Sequence, residues 1–254
     1  MMDFKLAMAP MVSDTGDIDA NAHRISDLAE DAANCGCGMI CFPEASLTGY
    51  TSSDPQSVKA GDMRIAEIAD MSEDIDIVFG FIEETDDGLY ITQALCRDGD
   101  VAGTYRKTHL GMREVNVFKA GDELPVFEAD FARTGIALCW ESRFPEIAGT
   151  YAGKGAELVL MPAASNLDYD RRVSSWNTLL STRASDNRVF VAACNNDGRA
   201  VVCASPDGSI MGGIQHGGFI VFDIDSSLYA KYRTGEETMR NIRYQAHRRP
   251  ELNY

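Results

Sequence analysis

Short apolar runs and amphipathic stretches follow one another along the chain, and the period of each predicts an element. Residues 3–9 (DFKLAMA) alternate in part and predict a first strand. Ile18, Ala22, Ile25, Leu28, Ala29 and Ala32 then recur at three- and four-residue spacing. Asp27, Glu30 and Asp31 fill the other face, so this is an amphipathic helix, capped by Asp17 or Asp19. Residues 39–42 form a short buried run ended by Pro43. A second helix is expected over 59–72, through Met63, Ile65, Ala66, Ile68 and Ala69, and a third strand over 74–81. The Asp-Gly within 85–88 marks a turn, after which 89–96 and 101–105 pair as strands around 98–100. Residues 107–122 carry no period and read as irregular, and 126–131 and 134–138 are further strands.

The second half keeps the same style. It predicts helices over 147–153 and 171–186, the latter with Val173, Trp176, Leu180 and Ala184 on one stripe. Strands are expected over 157–161, 188–194, 199–204 and 217–224, and a short polar helix near 236–244. No linker rich in Pro, Gly or Ser divides the chain, and no repeat of 20–50 residues shows, so one domain over 1–254 is expected. Hairpin-like pairs are mixed with strand–helix–strand units. The class is therefore α/β, with two mixed sheets packed together and helices outside.

Composition narrows the function classes. A chain of 254 residues buries roughly 70% of its unfolded surface and needs no metal or disulfide staple. The 23 Lys+Arg against 39 Asp+Glu give a formal charge of -16, which argues against a nucleic-acid groove or a polybasic membrane face. One basic segment stands out, with Arg240, Arg243, Arg248 and Arg249 before Pro250 and no acid among them. It reads as a solvated strip or a segment docked on acids of a partner subunit, with a phosphate-binding strip as the alternative. No signal-peptide pattern and no run of 18 apolar residues occurs, so a cytoplasmic protein is expected. The seven cysteines are odd in number and several lie in apolar runs, as free thiols do in a reducing compartment. Cys35, Cys37 and Cys41 lack a partner cluster or a histidine nearby in sequence, so core packing rather than metal binding is expected of them. No phosphate-cradling glycine motif follows a strand, and no cofactor is implied.

Three sheet-end residues carry complementary chemistry. Cys139 ends the apolar run of GIALCWESRFPE and sits where a strand gives way to a helix start, so backbone N–H groups are at hand for a thiolate or an oxyanion. Such a poised thiolate would alkylate well below the ordinary thiol pKa of about 8.5. Glu44 follows an apolar strand in CFPEASLTGY, and partial burial there raises a carboxyl towards neutral pH. Lys107 in YRKTHLGMREVNVFKAG follows a strand, with Glu114 seven residues on. Each alone has a plain reading, as a packing thiol, a loop carboxylate or an exposed lysine. Together they supply nucleophile, base and electrostatic clamp. His109 is near Lys107 in sequence but better suited to a structural hydrogen bond.

These motifs, in this order, resemble the nitrilase superfamily of carbon–nitrogen hydrolases, and nearest in motif is its omega-amidase-like branch. The resemblance lies in FPEASLTGY, YRKTHL, the Glu114…Phe118…Gly121 spacing, LCWESRFPE, RASDNRVFVAACN and the closing RRPELNY. It implies a four-layer α-β-β-α sandwich and a homodimer or higher homo-oligomer. It also implies Glu44 as general base, Lys107 as oxyanion stabiliser, Cys139 as nucleophile and Glu114 as the second glutamate. The chain departs from the family pattern at Met8–Met11, at Ser175-Trp176 and at Pro162–Asn166, all around the pocket wall.

The implied reaction is acyl transfer from a small amide to sulfur, with an N-carbamoyl compound or a nitrile as alternative substrates. A non-catalytic binding protein on the same fold is the alternative from another class. The Trp140 N–H is an oxyanion candidate. Arg143 is a candidate for a substrate carboxylate, or for an ion pair with Glu146, and Phe144 and Asn166 are further candidates for the pocket wall. The cysteine reading is testable directly: protein purified without chelator should carry no stoichiometric zinc, and one tightly held ion per chain would overturn it.

Overall fold

The computed structural model describes residues 1–234, 244–249 and 251. Strand β1 (Phe4–Met8) leads into helix α1 (Ile18–Asn34). Asp17 caps that helix by accepting the Ala20 N–H at 3.1 Å, and the chain leaves it through Gly36 at φ +73°. Strand β2 (Met39–Cys41) and helix α2 (Met63–Asp70) follow. The meander β3 (Asp76–Thr85), β4 (Gly88–Arg97) and β5 (Asp100–Arg106) comes next. Then come β6 (Val126–Glu128), β7 (Arg133–Ile136), α3 (Pro145–Gly153), β8 (Leu158–Leu160), α4 (Tyr169–Asn187), β9 (Phe190–Cys194) and β10 (Val201–Ala204). The described chain closes with β11 (Ile214–His216), β12 (Phe219–Ile224), α5 (Ser226–Tyr229) and α6 (Tyr244–His247).

Seven strands hydrogen-bond in the order β11-β12-β1-β2-β3-β4-β5, and five in the order β10-β9-β8-β7-β6. β1, β2 and β3 run parallel, as do β7, β8 and β9, and the flanking strands are antiparallel. Both sheets are therefore mixed, as the sequence pattern predicts.

The period of two along each central strand explains the layers. Leu6, Met8, Met39, Cys41, Val78 and Ile82 share one core with Ile136, Leu158, Leu160 and Val191 of the other sheet. Their neighbours Ala7, Ile40, Ile77, Phe79 and Phe81 pack instead with Ile25, Ala29 and Ala32 of α1 and Ile65 and Ile68 of α2. Trp176, Leu180 and Ala184 of α4, with Ile147 and Tyr151 of α3, join the core of the five-stranded sheet. The result is an α-β-β-α sandwich. Each fully buried Leu, Ile or Phe contributes about 1.5–3 kcal/mol through area removed from water.

Several boundaries differ from the periodicity. The second helix starts at Met63 because Asp62 caps it, accepting Arg64 N–H at 3.0 Å; residues 71–73 are a 3-10 turn. The strand expected over 188–194 starts at Phe190, since Arg188 is a left-handed helix cap at φ +56°. The run 217–224 is one arm of a hairpin: Gly217 turns it, and all three residues of β11 are exposed, so no apolar alternation marked that arm. Most of the polar helix expected near 236–244 lies outside the described residues. Of the basic tail, Arg248 donates to Asn187 Oδ1 at 2.7 Å and Arg249 pairs with Glu251 at 2.6 Å; Arg240, Arg243 and Pro250 lie outside the described residues.

The cysteines are all free. The fold does bring a histidine to Cys35, with His216 Nδ1 3.9 Å from its sulfur. Cys41 lies in the other core, and no three ligand-type side chains among the described residues form a metal-binding group.

One carboxyl sits badly in this scaffold. Asp76 opens β3, is buried, and accepts only the Asp130 N–H, at 3.0 Å, while its Oδ1 has no partner. Burial first, and the nearby Asp130 charge next, push it from 3.8 up to about 7. The folded state then holds this proton more tightly than the unfolded chain, so the stability it confers is present in acid and lost as pH rises from about 4 through about 7. Asp76→Asn should flatten that loss and melt about 2–4 °C higher than the parent at pH 8, the shift that ~1 kcal/mol produces in a domain of this size. Parallel melting curves across pH 5–8 would contradict the assignment.

Candidate active site

The loop after β2 is strapped to β3. Phe42 N–H donates to Val78 O and Leu47 N–H to Gly80 O, both at 2.8 Å. Ala45 turns the chain at φ +53°. A Cβ on Gly80 would lie 2.5 Å from both Ala45 N and Gln93 Oε1, so glycine is what lets the loop come this close. The outcome is a Glu44 carboxylate fully inside the protein. Its Oε2 accepts the Ala164 N–H at 3.0 Å, and its Oε1 accepts Lys107 Nζ at 2.7 Å.

Lys107 leaves β5 with its N–H donated to Ile91 O at 2.9 Å, and its side chain is wholly buried. Nζ donates to Glu114 Oε1 at 2.8 Å as well as to Glu44. Glu114 also accepts Tyr50 OH at 2.6 Å and the Gly111 N–H at 2.5 Å. The loop is closed on itself by Gly121 N–H donating to Lys107 O at 2.8 Å. Burial opposes the charge of the ammonium, but the carboxylates of Glu44 and Glu114 hold its pKa above the ordinary lysine value. Burial raises the Glu44 carboxyl, Lys107 pulls it down and Glu114 pushes it up again, for a net rise.

Cys139 comes from the other sheet. Its N–H donates to Pro162 O at 2.9 Å, and its φ of +47° makes a sharp left-handed turn into a 3-10 stretch over Cys139–Arg143. That turn leaves the Trp140 N–H without a partner among the described residues. Cys139 keeps part of its surface open, and its thiol lies within electrostatic reach of Glu44, Lys107, Arg172 and Glu114. Burial, then the Glu44 carboxylate, push it up to about 12 against the opposing pull of Lys107 and Arg172. Burial and the Glu44 carboxylate thus disfavour the poised thiolate expected from the sequence.

The remaining candidates divide. Trp140 and Phe144 meet edge to face at 6.2 Å, with Arg143 over the Trp140 ring at 5.9 Å. Arg143 is exposed and makes no ion pair with Glu146 among the described residues. His109 lies 4.5 Å from Phe144 with the rings tilted at 38°, and its Nδ1 faces Thr108 and Glu141. Asn166 is exposed, and its side chain makes no hydrogen bond among the described residues. The contact from that stretch is made by the Ala164 backbone instead.

Three positioning groups escaped the sequence reading. Tyr50 lay within a quoted motif, but only the fold brings its OH to Glu114. Glu141, within the Cys139–Arg143 turn, is fully buried and accepts Tyr105 OH, Thr108 Oγ1 and the N–H groups of Leu138, Thr108 and His109 at 2.6–3.0 Å. Burial would raise its carboxyl, but the hydrogen bonds from His109, Tyr105, Leu138 and Thr108 hold it below the ordinary value. It ties the loop of Lys107 to the turn of Cys139. Arg172 gave no signal at all, since one arginine in an amphipathic helix reads as surface.

The carbon-nitrogen hydrolase family model matches residues 5–234. The chain belongs to the carbon–nitrogen hydrolase family. It is an enzyme of that family, with the nitrilase-like fold, and stands closest to its omega-amidase and amidase branch. A Pseudomonas protegens hydrolase encoded upstream of pqqF is 32% identical, over 93% of this chain and 86% of that protein. The human omega-amidase is 29% identical over 77% of this chain and 75% of its own. The amidase of Nesterenkonia sp. AN1, solved with butyramide, superposes with a TM-score of 0.81 at 25% identity, over 98% of this chain and 95% of that one.

The electrostatics of the thiol are open to measurement. Cys139 alkylation should keep rising above pH 9 with no plateau below pH 8.5. Glu44→Gln removes the carboxylate that opposes ionisation and should move the profile to lower pH. An unchanged profile in that variant would show that Glu44 does not govern the thiol.

Proposed function

We propose that this hydrolase cleaves the C–N bond of a small linear amide by acyl transfer to Cys139, releasing ammonia. The observation that carries the reading is the buried Lys107 ammonium, clamped between Glu44 and Glu114 within electrostatic reach of the Cys139 thiol. A neutral thiol beside a carboxylate of raised pKa is a nucleophile and base pair. Glu44 takes the thiol proton as sulfur bonds to the carbonyl carbon, and the C=O electron pair moves to oxygen. That oxyanion faces the Lys107 ammonium and the free Trp140 N–H. Its collapse breaks the C–N bond, and Glu44 returns the proton to the departing nitrogen as ammonia leaves. Water then attacks the thioester with Glu44 taking its proton. The thiol is expelled with that proton and the carboxylic acid departs. Glu114 keeps the ammonium in place throughout.

In this reading the whole of 1–254 is one catalytic domain working as a homodimer or higher homo-oligomer. The free cysteines support a cytoplasmic setting. Among the described residues no helix is long and apolar enough to cross a membrane. The test is ammonia release from a panel of neutral amides, carboxylated amides, N-carbamoyl acids, N-carbamoyl amines and nitriles. We expect release from one amide class, its loss in Cys139→Ala, and a fall of about 10²–10³ in kcat when Lys107 is replaced by Met, the scale of a lost oxyanion donor. Release confined to nitriles or carbamoyl compounds would replace the amide assignment, and full activity in Cys139→Ala would end the mechanism.

A further inference from the structure

We propose that Glu141 is a positioning residue for the reaction: its carboxylate joins the two halves of the oxyanion site, fixing the Trp140 N–H relative to the Lys107 ammonium. This rests on the hydrolytic reading above and names what holds its oxyanion donors. The two donors start on different sheets. Lys107 follows β5 of the seven-stranded sheet, and Trp140 lies in the turn after β7 of the five-stranded one. Among the described residues, every hydrogen bond between 105–109 and 138–141 ends on the Glu141 carboxylate. Tyr105 OH reaches both of its oxygens, at 2.6 and 2.7 Å. Oε1 also accepts Thr108 N–H at 2.9 Å, Thr108 Oγ1 at 2.7 Å and His109 N–H at 3.0 Å. Oε2 accepts Leu138 N–H at 2.6 Å, and Glu141 N–H donates back to Leu138 O at 2.9 Å. The turn that contains Trp140 is closed from both sides by one residue, and the same residue grips the segment that carries Lys107.

The task needs a carboxylate. Tyr105 OH, Thr108 N–H, Thr108 Oγ1, His109 N–H and Leu138 N–H are all donors, and an ionised carboxyl is all acceptor, with about four lone-pair sites. A glutamine of the same shape turns its NH2 towards one set of these donors whichever way it is placed, so one segment comes loose. No lysine or arginine forms an ion pair with Glu141 among the described residues, and His109 Nδ1 lies 3.7 Å from it. Burial opposes its charge, and the hydrogen bonds outweigh burial. The nucleophile itself depends on other groups: the charges that bear on the Cys139 thiol are those of Glu44, Lys107, Arg172 and Glu114. Loosening Glu141 therefore spoils the alignment of the oxyanion donors more than the reactivity of sulfur, and a misplacement of about 1 Å costs about 10²-fold in rate.

The experiment compares two reactions of Cys139 that differ in whether an oxyanion forms. Butyraldehyde adds to the thiol: sulfur bonds to the carbonyl carbon, the C=O electron pair moves to oxygen, and the thiol proton passes to Glu44. Iodoacetamide alkylates the same sulfur, which displaces iodide and loses its proton, and no oxyanion forms. Glu141→Gln should weaken butyraldehyde binding by about 30–100-fold and lower kcat for the amide the parent cleaves by about 10²-fold, with KM within about threefold. Its alkylation rate should stay within about threefold of the parent. Glu141→Asp, which keeps the charge on a shorter arm, should restore part of both losses. Added to Lys107→Met, Glu141→Gln should cost less than about fivefold more, because the two residues act through one site. Where Glu141→Gln does not fold, Tyr105→Phe removes one donor and should weaken the aldehyde about five- to tenfold with alkylation unchanged. Aldehyde binding that depends on Glu141 supports the proposal even if no amide is cleaved. Equal losses in aldehyde binding and alkylation, aldehyde binding that is absent from the parent or unchanged in the variants, or full additivity with Lys107→Met would each overturn it.

Discussion

The site is organised around a buried ammonium. Lys107 is placed by β5 in the interior between the sheets, where one positive charge needs more than one acceptor to be tolerated. Glu44 and Glu114 supply two, and the remaining carboxylate capacity is met by Ala164 N–H, Gly111 N–H and Tyr50 OH. Each member is satisfied by the others, and removing one leaves a charge stranded in low dielectric, a loss of about 3–5 kcal/mol. The arrangement draws on both sheets. Glu44 and Lys107 come from the seven-stranded sheet, while Cys139 and Ala164 come from segments that follow β7 and β8 of the five-stranded one. The sandwich is thus also the device that assembles the chemistry.

A second carboxylate holds the frame. Glu141 accepts from the strand end that carries Lys107 and from the turn that carries Cys139. It fixes the strained φ of the nucleophile from one side while Pro162 O holds the Cys139 N–H from the other. Site geometry is therefore set by buried hydrogen bonds to rigid strand ends.

The charge of the chain and the charge at the mouth point in opposite directions. A formal charge of -16 describes the field outside, whereas Arg143 and Arg172, near Cys139, have no ion-pair partner among the described residues. Screening over about 8–10 Å of salt solution mutes distant surface charge but not a partner at contact.

The alternation of strands and helices, the two-sheet class and the three motif residues were legible in the chain because each rests on local pattern. Apolar periods of two and of three to four set the layers, and Glu44, Lys107 and Cys139 each follow an apolar strand. Caps were less legible: Asp62 and Arg188 moved two boundaries, through a side-chain hydrogen bond and a left-handed φ that periodicity does not register. β11 was missed because an exposed strand has no buried face to leave a pattern. What only the tertiary structure decided is which polar groups share the interior. Tyr50 meets Glu114 across 64 residues, Tyr105 meets Glu141 across 36, and Arg172 is buried without an acid. The sequence by itself determined where the reactive side chains leave their strands, since that depends on neighbours in the chain. Which charged groups surround Cys139 depends on residues brought together through space, and that came from the packing of the two sheets.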